Sequence, residues 1–155
     1  MPREWQPWIL GIVALLLVPL GIDWMLATAR LDDILIETTL DPPSVVADGK
    51  DSMVLTIRVT ENGSPRVHDL VQSWLDVGSG LLVPQWVYTD ENGVAEINFT
   101  PNAMTQYEVQ DKAEIHVRDI NIGRLIEVGK DIVVVVPLVV PQKPGEQEPG
   151  MTFGS

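Results

Sequence analysis

The residues of this sequence that could bind a metal ion are few. Asp90, Glu91 and Asn92 place three oxygen-bearing side chains in succession, and carboxylate and amide oxygens are ligands that calcium prefers. The same residues precede Gly93, and an Asn-Gly pair between two apolar runs is typical of a tight turn. We therefore expect an ordinary polar turn here, with a calcium loop as the alternative.

The side chains suited to acid–base catalysis are scattered. His68 and His116 have no second histidine or cysteine at ligand spacing, so we expect strand or surface histidines rather than metal ligands. Asp32, Asp33 and Asp111 could exchange protons with a substrate, but no pattern places them in a pocket, and we expect solvated carboxylates. No glycine-rich phosphate loop or Ser-His-Asp order with usable spacing occurs. The sequence thus predicts a protein that is not an enzyme and needs no cofactor.

Composition excludes several other classes of protein. The 155 residues include no cysteine, which excludes disulfides, thiolate catalysis and cysteine-ligated metal sites. The formal net charge is -12, carried almost wholly after Arg30, so the chain is repelled by phosphate and nucleic-acid binding is not expected. An exported domain without disulfides must be stable through packing alone, which suits a bacterial or archaeal exterior.

An apolar stretch over residues 8 to 26 determines where the rest of the chain lies. About 20 mostly apolar residues cross the hydrocarbon core of a bilayer, and this stretch is interrupted only at Asp23. Trp5 and Trp8 at one end and Trp24 at the other are placed as two interfacial belts, and Trp5 and Trp24 are about 28 Å apart at about 1.5 Å per residue. The sequence predicts a single-pass anchor in the lipid bilayer, with Asp23 solvated at the water boundary and a polar exit from Ala27 to Asp33.

Two alternatives to a retained anchor exist for residues 1 to 30. A secretory signal peptide has a similar apolar core, and Ala27-Thr28-Ala29 fits the small-residue pattern of a cleavage site. A buried core helix is the other alternative, although the stretch is apolar all round and has no polar stripe. The anchor is the interpretation that we carry forward.

Residues 31 to 141 are predicted to form one all-β domain. Short runs rich in β-branched residues alternate with Gly, Pro and Asn-Gly turns, which is typical of an antiparallel sandwich. Apolar residues alternate with polar ones in at least three runs, so one face of each strand should be buried. Trp74 is the candidate for the centre of the core, between the sheets. The alternating runs are Met53 to Val59, Val94 to Thr100 and Ala113 to Val117, and Leu125 to Val128 is a further short strand.

Particular residues resemble bacterial Ig-like domains of the invasin and intimin type. The segment from Ala47 to Val59 and the turn Asn62-Gly63-Ser64-Pro65 are similar to the first half of such domains. The most specific part is the threonine-aspartate-x-x-glycine-x-alanine pattern from Thr89 to Ala95. The resemblance implies a two-sheet Ig-like sandwich of a kind used as spacer or adhesive modules outside bacterial cells. The segment from Gln106 to Arg124 departs from the usual motif of the last hairpin.

The end of the domain carries an unusual strand. Ile132 to Val140 is almost continuously apolar, whereas a strand with one solvated face should alternate. A neighbouring loop could cover its outer face, and the segment from Gln106 to Arg124 is the candidate. Alternatively the strand pairs with another subunit, and Ile132, Val134, Val136 and Leu138 are then the candidate assembly residues. The Pro, Gly and Glu composition of residues 142 to 155 predicts a disordered tail.

Three functions are consistent with this sequence. The first is a membrane-anchored extracytoplasmic Ig-like module with a structural, adhesive or accessory-subunit role at the cell surface. The second is a subunit of a surface filament, with the apolar helix in the filament core; either could involve a homo-oligomer or a larger membrane assembly. The third is an Ig-like protein secreted after signal cleavage. The sequence does not name a ligand.

Overall fold

The computed structural model describes residues 6–105 and 110–141. Its first element is a long helix, α1, over Gln6–Arg30. The helix continues through the segment from Ala27 to Arg30, where a polar exit was predicted, because alanine and arginine favour the helix and Ala27 packs against the following domain. Trp5 and the predicted tail over residues 142 to 155 lie outside the described residues.

Ten strands follow α1 within the described residues. In chain order they are β1 Ile34–Asp41, β2 Val45–Val46, β3 Met53–Glu61, β4 Ser64–Pro65, β5 Leu70–Val77, β6 Gly80–Val83, β7 Trp86–Tyr88, β8 Val94–Pro101, β9 Lys112–Asp119 and β10 Lys130–Val139. The predicted strand from Leu125 to Val128 is wrong: this segment belongs to the loop between β9 and β10, with one bridge from Asn121 to Val128.

The strands form two sheets that pack face to face. The first sheet has the order β1-β3-β8-β6, with β4 added beside β3, and the second has the order β2-β10-β9-β5-β7. Pairing is antiparallel except between β2 and β10, where Val45 and Val46 lie parallel to Leu138 and Val139. This arrangement is that of an Ig-like sandwich, and the predicted all-β fold with one N-terminal helix is confirmed.

The core lies between the sheets and follows the alternation in the sequence. Inward-facing residues of β3, β8 and β9 are almost fully buried, and most polar residues of these strands face outward, with Thr60 and Asp119 as buried exceptions near the strand ends. Phe99 is the largest of the fully buried side chains. The buried residues of these three strands are Met53, Leu55, Ile57, Val59, Ala95, Ile97, Phe99, Ala113, Ile115 and Val117.

The prediction that Trp74 occupies the core is wrong. Val71 and Ser73 face inward from β5, so Trp74 lies on the outer face of the second sheet and is half-buried. Its ring stacks on the ring of His116 in β9, with centroids 4.9 Å apart. Successive side chains of a strand point to opposite faces of the sheet. Because Val71 faces the core, Ser73 also faces the core and Trp74 faces outward.

The last strand does alternate in burial although it does not alternate in sequence. Val134, Val136 and Leu138 face the core, whereas Val133 and Val135 are about half exposed on the outer face. The predicted covering loop begins with residues 106 to 109, which lie outside the described residues. Of the four candidate assembly residues, Val134, Val136 and Leu138 pack in the core of their own domain and Ile132 is partly buried, so Val133 and Val135 are among the valines of this strand that a partner could reach. The assembly role of the strand remains a prediction.

Candidate functional site

The helix meets the sandwich at a carboxylate that is held by backbone groups. Asp23 of α1 accepts hydrogen bonds from the N–H groups of Arg124 (3.0 Å), Leu125 (2.7 Å) and Ile126 (3.0 Å). Successive backbone N–H groups that point to one place form a concave anion site. We call Asp23, together with the β9–β10 loop over residues 120 to 129, the helix–loop clasp.

Small side chains let the two parts of the clasp approach closely. Ala27 lies one turn beyond Asp23 and is buried, as is Ile122 of the loop. A Cβ atom at Gly123 would lie 1.9 Å from the carbonyl oxygen of Ile126 and 3.4 Å from a carboxylate oxygen of Asp23. Only glycine therefore fits at position 123 without opening the loop.

A second set of contacts fixes the end of the helix. The Nζ of Lys130 donates to the carbonyl oxygens of Leu31 (2.7 Å) and Ile34, immediately after the helix ends. Arg30 lies in the last turn, where a cation is favoured by the helix dipole, and its Nε is 3.9 Å from a carboxylate oxygen of Glu61. The sandwich thus holds α1 on both sides of its C-terminal end.

The sequence did not predict this role for Asp23, which was expected to be solvated. An ionisable residue within an apolar helix is by itself a signal for a polar partner. The partner could not be found from sequence, because it is a set of backbone groups more than a hundred residues away, in a loop that had been predicted as a strand.

The rest of the helix touches little of the sandwich. No residue from Trp8 to Leu26 is buried, and Trp8 and Trp24 are 78% and 55% exposed. The alternative of a buried core helix is therefore wrong. The proposed interfacial roles of Trp8 and Trp24 remain predictions.

Beside the clasp, at the same end of the sandwich, lies a buried ionic cluster. Arg66 donates to Glu61 (2.9 Å) and Asp69, and its Nε is 3.4 Å from Oδ2 of Asp119. Asp69 and Asp119 are almost completely buried. Thr89 supports the cluster by accepting from the N–H of Asp69 (2.9 Å) and donating to the carbonyl of Arg66 (2.6 Å).

The cluster shifts the pKa values of its members. Burial, with the negative charge of Asp69 beside it, raises the pKa of Asp119 to about 6, and the N–H of Asn121 and the charge of Arg66 oppose this only in part. Burial acts to lower the pKa of Arg66, but its hydrogen bond with Asp69 and the nearby carboxylates raise it. The Arg66 guanidinium thus pairs with the carboxylates of Glu61, Asp69 and Asp119. The described residues include no set of His, Cys, Asp or Glu side chains that could hold a metal ion.

The motif from Thr89 to Ala95 has a structural reason at nearly every specified position. Thr89 holds the Arg66–Asp69 turn, and the carboxylate of Asp90 accepts from the N–H groups of Asn92 and Val94, each at 2.8 Å. Gly93 has a φ of 73°, and a Cβ atom there would be 2.6 Å from the carbonyl oxygen of Val59. The structure therefore uses Asp90 in the polar turn that the sequence predicted.

The other titratable candidates do not converge on one place. His68 is exposed, whereas His116 packs under Trp74 with its Nε2 3.5 Å from Oδ2 of Asp76. Asp32, Asp33 and Asp111 are exposed. These positions agree with the expected surface roles.

The fold and these contacts define an Ig-like domain carried on an exposed apolar helix. No protein-family model and no curated protein matches the sequence. Among solved structures, the chain is similar to the D00-D0 domain of intimin, with a TM-score of 0.53 and 18% identity over 66% of this chain and 46% of that one. It is also similar to a C-terminal 282-residue fragment of intimin in complex with the translocated intimin receptor intimin-binding domain, with a TM-score of 0.51 and 22% identity over 68% of this chain and 32% of that one.

These likenesses establish the fold. The chain spans less than half the length of either intimin structure. The predicted Ig-like sandwich of the invasin and intimin type is confirmed at the level of architecture.

Proposed function

We propose that this protein is a membrane-anchored, extracytoplasmic Ig-like module with a structural or accessory role at the cell surface. The observation that carries the proposal is α1, which is apolar on all sides, has no buried residue from Trp8 to Leu26 and is joined to a sandwich of the intimin type. A helix of this kind is stable only where its whole circumference meets an apolar environment.

The dimensions of α1 suit a bilayer. The candidate span, Trp8–Arg30, has 23 residues, which correspond to about 34 Å at about 1.5 Å per residue. The hydrocarbon core of a typical bilayer is about 30 Å thick. Trp8 would then lie at one headgroup region, and Trp24, about 24 Å away at about 1.5 Å per residue, would lie close to the other, as tryptophan prefers.

The clasp supports a structural role rather than a flexible tether. Asp23, Lys130 and Arg30 hold the sandwich against the end of the helix, so that the domain is presented in one orientation relative to the membrane. A module that only carried a mobile ligand-binding head would not need contacts that reach back along the helix. If the role is adhesive, the outer face around Trp74 and Trp86 is the surface that binds a partner, because exposed aromatic side chains are frequent in the centres of interfaces.

Topology can be tested in intact cells because the natural chain has no cysteine. We would introduce Leu81→Cys, an exposed position at the far end of the sandwich, and treat cells with a membrane-impermeant maleimide before and after permeabilisation. The proposal predicts labelling without permeabilisation, together with resistance of the protein to alkaline extraction from membranes. Labelling only after permeabilisation would place the sandwich in the cytoplasm and overturn the proposed orientation.

The form in which the protein is released from cells distinguishes an anchored module from a filament subunit. An anchored module requires detergent and yields a particle of defined small size in size-exclusion chromatography. A filament subunit would be sheared from cells as long assemblies without detergent, and this result would favour α1 in a filament core.

A further inference from the structure

We infer that the tip of the β9–β10 loop, with Leu125 at its apex, lies in the interfacial region of the bilayer and forms a second membrane contact. This inference rests on the proposed function, because it requires α1 to span the membrane. It adds a lipid-binding surface on the sandwich itself.

The depth of the loop follows from its contact with Asp23. The N–H of Leu125 lies 2.7 Å from Oδ2 of Asp23, whereas Met25 and Leu26, which are closer to the sandwich along the helix, are exposed and apolar. Side chains of a helix tilt toward its N-terminus, so the Asp23 carboxylate lies below its own Cα toward the membrane. A bilayer that covers Leu26 therefore reaches past the level of the loop tip.

The chemistry of the loop suits that position. Leu125 is 62% exposed, and the three neighbouring N–H groups of the tip are satisfied by Asp23 rather than by water. Backbone groups that enter an apolar region must be hydrogen-bonded within the protein, and the carboxylate does this for the loop. The same bonds neutralise much of the cost of an ionised residue in the helix.

The charges around the tip agree with a headgroup environment. Arg124 is exposed beside Leu125, so its guanidinium can reach lipid phosphate. Glu127 is 3.8 Å from Nη2 of Arg118, an ion pair that lies on the sandwich side of the tip. Because the whole chain is strongly acidic, we expect the contact to be apolar and interfacial, and not to depend on anionic lipid.

A cysteine scan with lipid quenchers tests the inference on the full chain. Single variants Leu125→Cys, Leu81→Cys and Leu16→Cys would be labelled with an environment-sensitive fluorophore and reconstituted in phosphatidylcholine vesicles. Parallel vesicles would contain acyl chains brominated close to the glycerol, which report on position 125, or near the end of the chain, which report on position 16 at the centre of the span. Leu81 is the matched control, because it is 63% exposed, against 62% for Leu125, but lies at the opposite end of the sandwich. Leu16 reports on the span itself.

We expect the label at position 125 to emit at shorter wavelength than the label at 81 and to be quenched by the brominated lipid. A label at 125 that behaves like that at 81, while that at 16 is quenched, overturns the loop contact and leaves the anchor intact. If the label at 16 is also unquenched, the anchor fails and the loop contact fails with it. Far-UV circular dichroism of each variant verifies that the sandwich is folded.

Discussion

The carboxylate of Asp23 accepts a hydrogen bond of 2.7 Å from the backbone N–H of Leu125, although 102 residues separate the two in sequence. The first is a residue of the apolar helix, and the second is the tip of the last long loop of the sandwich. This contact makes the helix and the domain one mechanical unit at the place where the chain would leave the membrane.

Removal of the Asp23 carboxylate should release the loop without unfolding the sandwich. In the Asp23→Ala variant, the N–H groups of Arg124, Leu125 and Ile126 lose their shared acceptor, so their hydrogen–deuterium exchange should accelerate strongly. Exchange at Leu55 of β3 and at its partner Ile97 of β8 should not change, because both lie in the interior of the first sheet, away from the strand ends beside the clasp. Asp32→Ala, at an exposed acid after the helix, is the matched control and should leave exchange in the loop as it is. Unchanged exchange at Leu125 in Asp23→Ala would mean that the clasp does not form in solution.

The stability of the folded protein should depend on the positive charge of Arg66 in the buried ionic cluster. The Arg66→Met variant leaves Asp69 and Asp119 facing each other without a positive charge, and removal of one partner from a buried ion pair costs about 3 to 5 kcal/mol. Because the Arg66 side chain is 13% exposed, the lower end of that range is expected for the free energy of unfolding. Arg58→Met, on the exposed face of β3, provides the control and should cost less than about 0.5 kcal/mol. Equal costs for the two substitutions in urea denaturation would contradict the assigned role.

The raised pKa of Asp119 predicts a defined pH dependence of stability. Its pKa is about 6 in the folded protein against an ordinary value of 3.8, so the folded state binds the extra proton between these values. The contribution of this group to stability is therefore present below about pH 4 and is lost as the pH rises toward and through 6. In Asp119→Asn this loss should be absent, so the difference in unfolding free energy between variant and parent should grow in favour of the variant from pH 4 to pH 7. A difference that is flat across this range would show that the pKa of Asp119 is not raised in the folded protein.

The outward position of Trp74 has a consequence for stability. Trp74→Ala should cost less than about 3 kcal/mol, since it removes a half-buried side chain whose stacking on His116 contributes about 0.5 to 1.5 kcal/mol. Phe99→Ala, which empties a fully buried position, should cost about 3 to 5 kcal/mol. Thermal or urea unfolding of both variants gives the comparison, and a larger loss for Trp74 would return it to the core.

The strands of the sandwich could be predicted because their cause is local. Alternation in β3, β8 and β9 sets which residues are buried, and the Asn-Gly turns mark where the chain reverses. The inward face of β10 could not be predicted, since valine stands at both outward and inward positions and the pleat is set by pairing with β9. The position of Trp74 could not be predicted from its size. The register of β5 against β9 turns Ser73, and not Trp74, toward the core.

The candidate site was less accessible to sequence reasoning than the fold. Asp23 interrupts the apolar run in the sequence, yet its partners are backbone N–H groups, which carry no signature of residue type. Arg66, Asp69 and Asp119 come together only because the ends of β3, β5 and β9 meet at one end of the sandwich. No spacing between residues in the sequence indicates that these strand ends come together.

Whether α1 stays attached to the sandwich in the cell can be measured by intact mass spectrometry of the native protein purified from membranes. We expect a mature chain that still contains the helix over residues 6 to 30. A native chain that begins at Arg30, after the Ala27-Thr28-Ala29 pattern, would show that the helix is a cleaved signal and that the sandwich is not anchored by it.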